Sequence, residues 1–185
     1  MGCGQSKSKV ADNLDNHFVN EDSLTIDEKA ILKKTWPHIQ QHTTTVGLEV
    51  FSRFFKDHPD YQQLFPEFRT INTNELSESK PLLGHSRRIM KAIDTAVVSI
   101  DNFETYEVYL LDLGCRHRER QLKEIHLEHM RLAFVDTLQH RLESTWNQET
   151  SLAWNKLFYL VSQTMLRGLH GQQKLIDSKI DLLES

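Results

Sequence analysis

The sequence predicts an all-α domain. Apolar residues recur at helical spacing along most of the chain, cap-forming residues and prolines punctuate the stretches between them, and no run of useful length alternates as a half-buried strand would. Seven or eight helices fit, with no internal repeat.

Residues 1–22 are polar and rich in Gly, Asn and Asp, without a sustained apolar period, which predicts a flexible leader. Thr25 and Glu28 have the spacing of a capping box and should open the first helix. Ile31, Leu32, Trp36 and Ile39 follow at helical spacing, with a kink expected at Pro37. Val46, Leu48, Val50, Phe51, Phe54 and Phe55 form a second, aromatic helix that stops at Asp57-His58-Pro59. The polar run 70–79 reads as a loop. Pro81 then leads a helix with Leu82, His85, Ile89, Ala92, Ile93, Ala96 and Val97 on one face. Asp101 and Glu104 are box-spaced ahead of Tyr106, Tyr109, Leu110 and Leu113. Two long amphipathic helices, about 122–142 and 152–169, complete the domain, and Gly168 and Gly171 are expected to end the second. The domain therefore spans 23–171. In the extension 172–185, Ile176, Ile180 and Leu183 keep helical spacing, as a continuation of the last helix or as a separate docking helix.

A chain of 185 residues holds one domain with room for tails. With 38% hydrophobic and 26% charged residues its composition is that of an ordinary soluble protein. No stretch approaches the ~20 apolar residues of a membrane span, and the first residues lack a secretory apolar core, so synthesis should leave the chain in the cytosol. The net charge is −4 and basic residues are interleaved with acids, which argues against a nucleic-acid partner. Cys3 and Cys115 are too isolated for a disulfide framework.

Ten histidines are unusual for this length. Two in separate helices can clamp a flat cofactor, although a histidine on an apolar face is more often a satisfied core residue; the residues by themselves leave both readings open. His126 and His129, three apart on a helix, lack a cysteine pair and read as surface residues. His17, His38, His42, His58, His140 and His170 form no constellation.

Three motifs narrow the choice. HPDYQQLFPEF, residues 58–68, resembles the corner after the second globin helix, with Pro59, Phe65 and Phe68 in the expected places. LLGHSRRIMKAIDTAV, residues 82–97, resembles the distal globin helix, and LLDLGCRHRER, residues 110–120, resembles the proximal one, most closely that of the neuroglobin branch. His117 follows His85 by 32 residues, as in that branch. Trp36, Trp154 and the closing MLRGLHG extend the resemblance over about 23–171.

The resemblance implies a globin fold, a three-over-three helical sandwich, around a buried haem (heme b). It implies His117 as the proximal iron ligand, His85 in the distal position, and Phe65 against the porphyrin face. Phe51 and Ile89 would cap the distal pocket. Arg88 would reach a haem propionate or guard the entrance, unless it is simply a solvated surface charge. A neutral imidazole suits this role, because one nitrogen binds iron while the other donates to a carbonyl that sets the ring orientation. A distal histidine can donate to a bound gas or ligate the iron itself; the neuroglobin likeness favours the six-coordinate form. The chain departs from vertebrate neuroglobins in having no cysteine in loop 70–79, so a disulfide control of His85 is not expected there. Cys115 should be a small buried packing residue.

MGCGQS matches the pattern for myristoylation of Gly2, and Cys3 beside it is placed for palmitoylation. One myristoyl chain holds a membrane only marginally, and a second acyl group makes the anchor stable. Lys7 and Lys9 add roughly 1 kcal/mol each near anionic lipid, partly offset by Asp12 and Asp15. Dual acylation of this kind also resembles the globin X lineage. The expected function is a lipid-anchored haem globin on the cytoplasmic face of a membrane, with no transmembrane helix. It would bind dioxygen, carbon monoxide or nitric oxide and cycle between ferric and ferrous iron, as a redox or gas sensor or in electron transfer with a separate reductase. The alternative is an enzyme, reducing nitrite or dioxygenating nitric oxide at the same iron, again with a separate reductase. A haem-free globin scaffold is disfavoured by the presence of His117.

Overall fold

The computed structural model describes residues 23–72 and 75–183. The expected leader, with Gly2 and Cys3, lies outside the described residues. Among these, six α-helices and four 3₁₀ turns are joined without a strand. Counting the six-residue 3₁₀ helix Pro59–Leu64 brings the total to seven, within the seven or eight expected.

Helix α1, Ile26–Gln40, starts at the predicted box: the Glu28 amide donates to Thr25 Oγ1 at 3.2 Å and the Thr25 amide donates to Glu28 Oε2 at 2.7 Å. Pro37 lies within its last turn, and the helix stops three residues later. Helix α2, Thr43–Asp57, buries Val46, Val50, Phe51, Phe54 and Phe55, then gives way to the 3₁₀ helix at Pro59. The region expected as a plain loop contains a 3₁₀ turn, Leu76–Glu78, whose Leu76 plugs the core. Helix α3, Lys80–Val98, is capped by Ser79 and has Pro81 in its first turn, where a missing amide hydrogen costs nothing.

Helix α4 runs Phe103–Arg116. The box expected from Asp101 is not formed: the helix begins after Asn102, one residue too late, and Asp101 instead pairs with Lys33 of α1. A 3₁₀ turn, Arg118–Arg120, and a left-handed Gln121 lead to α5, Glu124–Leu142. Helix α6 runs Gln148–Leu183, so Gly168 and Gly171 do not end it and the C-terminal extension continues the helix. No helix among the described residues is long and apolar enough to cross a membrane.

The helices form two layers, with α1, α3 and α4 over α2, α5 and α6, the three-over-three arrangement expected. Trp36 and Trp154 meet at 5.8 Å where α1 crosses α6, and each indole N–H has a partner: Asp94 Oδ1 at 2.9 Å and Thr35 Oγ1 at 3.1 Å. Beside them the Lys156 ammonium, nearly buried, donates to the capping carboxylate of Glu28 at 3.1 Å, so the first turn of α1 is tied to α6.

The tightest junction is α4 across α6. A Cβ added to Gly168 would lie 2.0 Å from the Leu111 carbonyl oxygen, and one added to Gly114 would lie 1.9 Å from the Met165 carbonyl oxygen. Each glycine admits the other helix's backbone. This is the reason for Gly168, which the sequence alone presents as a helix terminator.

Because those close atoms are backbone, they cannot rotate away. Gly168→Ala should lower unfolding free energy by about 3 kcal/mol, at the upper end of overpacking costs. Gly171→Ala, with nothing within 4 Å of the new carbon, should be neutral or gain up to about 1 kcal/mol of helix propensity. Urea unfolding of both variants checks this; equal stabilities would mean that the crossing is not as described.

Candidate haem-binding site

The glycine crossing sits one turn before the end of α4 and holds His117, the C-cap residue, in place. On either side of His117, Cys115 Sγ donates to the Gly168 carbonyl at 3.0 Å and Arg118 Nη2 donates to the Leu169 carbonyl at 2.9 Å. Cys115 is half-buried rather than buried, with its thiol used as a donor. The turn carrying His117 is therefore bolted to α6 from both flanks.

His117 Nδ1 lies 2.7 Å from the Leu113 carbonyl oxygen. A carbonyl can only accept, so Nδ1 carries the proton and the Nε2 lone pair is free. The bond also satisfies one of the orphan carbonyls at the end of α4. Burial lowers the His117 pKa; the Leu113 bond opposes this, and the Arg120 and Arg116 charges add to the lowering. A neutral ring with a fixed tautomer is what iron requires of a nitrogen ligand.

His85, on α3, is half-buried in an aromatic cage. Its ring lies edge-on to Phe65 at 5.1 Å, Phe51 at 5.4 Å and Phe68 at 6.2 Å. Burial pushes its pKa down to about 4, helped by the charges of Arg88 and His117 and opposed by Glu67. Phe51 is fully buried, Phe65 half-buried and stacked on Phe68 at 4.8 Å, and Ile89 packs against the core one turn beyond His85. The α2–α3 approach that sets this cage is close: a Cβ on Gly47 would meet Ser86 Cβ at 3.1 Å and Met90 Cγ at 2.9 Å.

Arg88 is exposed, and its Nη2 donates to His85 Nδ1 at 3.3 Å. A guanidinium has no acceptor, so in this arrangement His85 carries its proton on Nε2. The two histidines thus differ in tautomer: His117 offers a lone pair, His85 a donor.

One feature had no signal in the sequence. Arg120, in the turn after His117, grips Glu67, in the corner after Phe65, with two parallel hydrogen bonds of 2.7 and 2.6 Å. The partners are 53 residues apart, and although each lies within a quoted motif, nothing in either motif marks it as the other's partner. The pair joins the distal-side corner to the proximal-side turn. His126, expected at the surface, is buried, with Nδ1 accepting from the Lys123 amide at 3.2 Å. His58, expected to be solitary, stacks on His129 at 3.8 Å.

The residues fit haem: one half-buried imidazole with a free lone pair, and a second imidazole, on another helix, ringed by phenylalanines. Among the described residues no group of three or more His, Cys, Asp or Glu could hold a bare metal ion.

The Arg120 bonds lower the Glu67 pKa from the usual 4.5 to about 2. A depressed carboxylate stabilises the fold above its unfolded pKa, and that contribution fades as pH falls from about 4.5 toward 2. Both side chains are more than a third exposed, so Arg120→Ala should cost only about 1 kcal/mol or less at neutral pH. The gap between wild type and variant should close below pH 3 in urea titrations; a pH-independent gap would assign the loss to packing.

The family model described as Globin matches residues 48–165. Cytoglobin-1 of Oryzias latipes is 26% identical over 148 residues, which cover 79% of this chain and 84% of that protein. Cytoglobin-2 of Danio rerio is 27% identical over 136 residues, covering 72% of this chain and 76% of that protein. Two solved structures share the fold. The first is a hexacoordinated haem protein from an anhydrobiotic tardigrade (TM-score 0.73, 22% identity, 80% of this chain and 96% of that one). The second is the haemoglobin of the botfly Gasterophilus intestinalis (TM-score 0.72, 20% identity, 79% and 99%). With the paired histidines, the helical sandwich and a family match over most of its length, this chain belongs to the globin family and takes haem as its cofactor.

Proposed function

We propose that this globin is a lipid-anchored, neuroglobin- or globin X-like protein that binds dioxygen, carbon monoxide or nitric oxide and cycles between ferric and ferrous iron. It serves as a redox or gas sensor, or in electron transfer with a reductase or another electron-transfer partner. The observation that carries the haem chemistry is the 2.7 Å bond between His117 Nδ1 and the Leu113 carbonyl, which leaves Nε2 as an iron ligand.

Haem supplies the iron that binds the gas and changes oxidation state. His117, with its ring orientation set by the Leu113 carbonyl, would hold it through Nε2. Phe51, Phe65 and Phe68 exclude water from the other side and leave His85 as the polar group there. With Arg88 on Nδ1, His85 Nε2 is a hydrogen-bond donor suited to a gas ligand. With Arg88 turned to solvent, His85 could carry its proton on Nδ1 instead, and its Nε2 would then be available to hold the iron. His117 and His85 would together hold the iron at rest, a reading supported by the hexacoordinated tardigrade protein that shares the fold. External ligands then bind in proportion to the fraction of time His85 is away.

The lipid anchor rests on the sequence MGCGQS, with acyl groups on Gly2 and Cys3. Tethering suits a sensor or electron carrier better than a diffusing oxygen store.

Purified protein should show a Soret band, and His117→Ala should lose it; a colourless chain that refuses added haemin would overturn the haem reading. The ferrous spectrum should be low-spin before carbon monoxide is added. Arg88→Leu should strengthen the low-spin bands and slow carbon monoxide binding about tenfold, the ratio expected if roughly 1.4 kcal/mol of competition is removed. An unchanged rate would mean that Arg88 is only a surface charge. In cell fractionation Gly2→Ala should release the protein from membranes and Cys3→Ser should weaken its retention; a Gly2→Ala variant that stays membrane-bound would rule out this anchor.

A further inference from the structure

A groove of about 560 Å³ opens to solvent where α5 lies along α6. Ile125, Leu127, Tyr159 and Leu166 supply its apolar lining. Ile125 is 47% exposed, and Leu132, seven residues on and therefore on the same face of α5, is 50% exposed. Large apolar side chains this open to water, grouped on one face and rimmed by charge, mark a surface that another segment covers. Haem binding uses none of them.

The N-terminal leader joins the fold beside this groove. Leu24 packs against the core, and Glu28, in the first turn of α1, accepts from Lys156 of α6 at 3.1 Å. Tyr159 stands three residues further along α6, a rise of about 4.5 Å. The near end of the groove is the Arg131 end, because Arg131 donates to Asn155, the neighbour of Lys156. At the far end Gln163 Nε2 donates to Glu124 Oε1 at 3.5 Å. The groove thus leads away from the place where the leader meets α1.

The leader carries one apolar stripe to lay into it. Val10, Leu14 and Phe18 are spaced i, i+4 and i+8, with Ala11 beside them, while Asp12, Asn13, Asp15 and Asn16 fall outside that face. So few apolar positions do not hold a helix in water, but they suit a segment that coils as it docks, with anchors at helical spacing. As a helix, Val10 to Phe18 rises about 12 Å. Lys123 to Arg131, the α5 side of the groove, is the same number of residues and the same length.

We propose that the leader docks in the α5–α6 groove of its own chain as a short helix, Val10–Phe18, with Phe18 at the Arg131 end and Val10 at the Lys123 end. The tether decides in favour of this occupant over a second copy. Phe18 lies five residues before Ser23, a reach of up to about 17 Å, so the docking segment is held near the groove at an effective concentration on the order of millimolar. Three apolar anchors suffice under that condition, whereas the same contact between separate chains would dissociate on dilution. Docking also sets where the first residues of the chain emerge, on the Lys123 side of the groove.

The test is hydrogen–deuterium exchange, read by mass spectrometry on the full chain without acyl groups, so that its outcome is independent of the anchor reading. Amides of residues 10–18 should exchange about tenfold more slowly in wild type than in Leu14→Asp, the protection given by a contact populated nine-tenths of the time. Leu14→Asp lies outside the described fold and leaves it intact. Ile125→Asp, an exposed substitution in the first turn of α5 where an acid is welcome, should abolish the same protection while the exchange of α5 and α6 is unchanged. Fast exchange of 10–18 in wild type, or slow exchange that survives either substitution, overturns the proposal. Protection should also persist through about a hundredfold dilution; protection that fades on dilution would give the groove to a second copy and overturn the proposal as well.

Discussion

The backbone-to-backbone crossing of α4 over α6 at Gly114 and Gly168 is the constraint on which the proximal side depends. Two helices that meet without side chains between them have little freedom to slide, because any shift drives a carbonyl into the opposing chain. The consequence is felt one turn later. His117 emerges from a helix end whose position relative to α6 is set by that crossing and pinned again by Cys115 and Arg118, each donating to a carbonyl of α6. Its Nδ1 is then committed to Leu113, and only Nε2 remains for chemistry. Main-chain packing thus determines the direction of one lone pair.

The distal side is built by the opposite means. There the ring of His85 is surrounded by phenylalanines from the end of α2 and from the corner that follows, and its polar contact is with a solvent-exposed arginine. Aromatic edges tolerate rotation, and an exposed guanidinium is held weakly. The two histidines are thus held by different means, one by main-chain packing and the other by aromatic edges and an exposed guanidinium. The Arg120–Glu67 fork joins the two sides, so that the corner bearing Phe65 is tied to the turn bearing His117.

The same corner has two faces. Inward, Phe65 and Phe68 complete the cage around His85. Outward, Tyr61 and His58 meet His129 and His126 of α5, a titratable cluster assembled from segments nearly seventy residues apart. The burial of Phe54 and Phe51 between these faces serves the core first, and the ring contacts that link surface to site follow from that packing.

Much of this was legible in the chain. Helical periodicity, the Thr25–Glu28 box and the Pro81 start are local signals, decided by residues close in the chain, and they appear where expected. The two histidines and Phe65 were legible through motifs of similar reach. Asp101 was misread because a box spacing does not say which residue the tertiary contacts will leave outside the helix; Lys33, 68 residues away, claimed it. Gly168 looked like a stop because glycine ends helices locally, whereas here its missing side chain makes room for Leu111 of another helix. His58, His126 and His129 looked idle for the same reason. By itself the sequence determined which segments coil and which imidazoles are available, since those depend on near neighbours. The tertiary structure alone decided which nitrogen of each ring carries the proton and which side chains meet, since these depend on atoms that only folding brings within bonding distance.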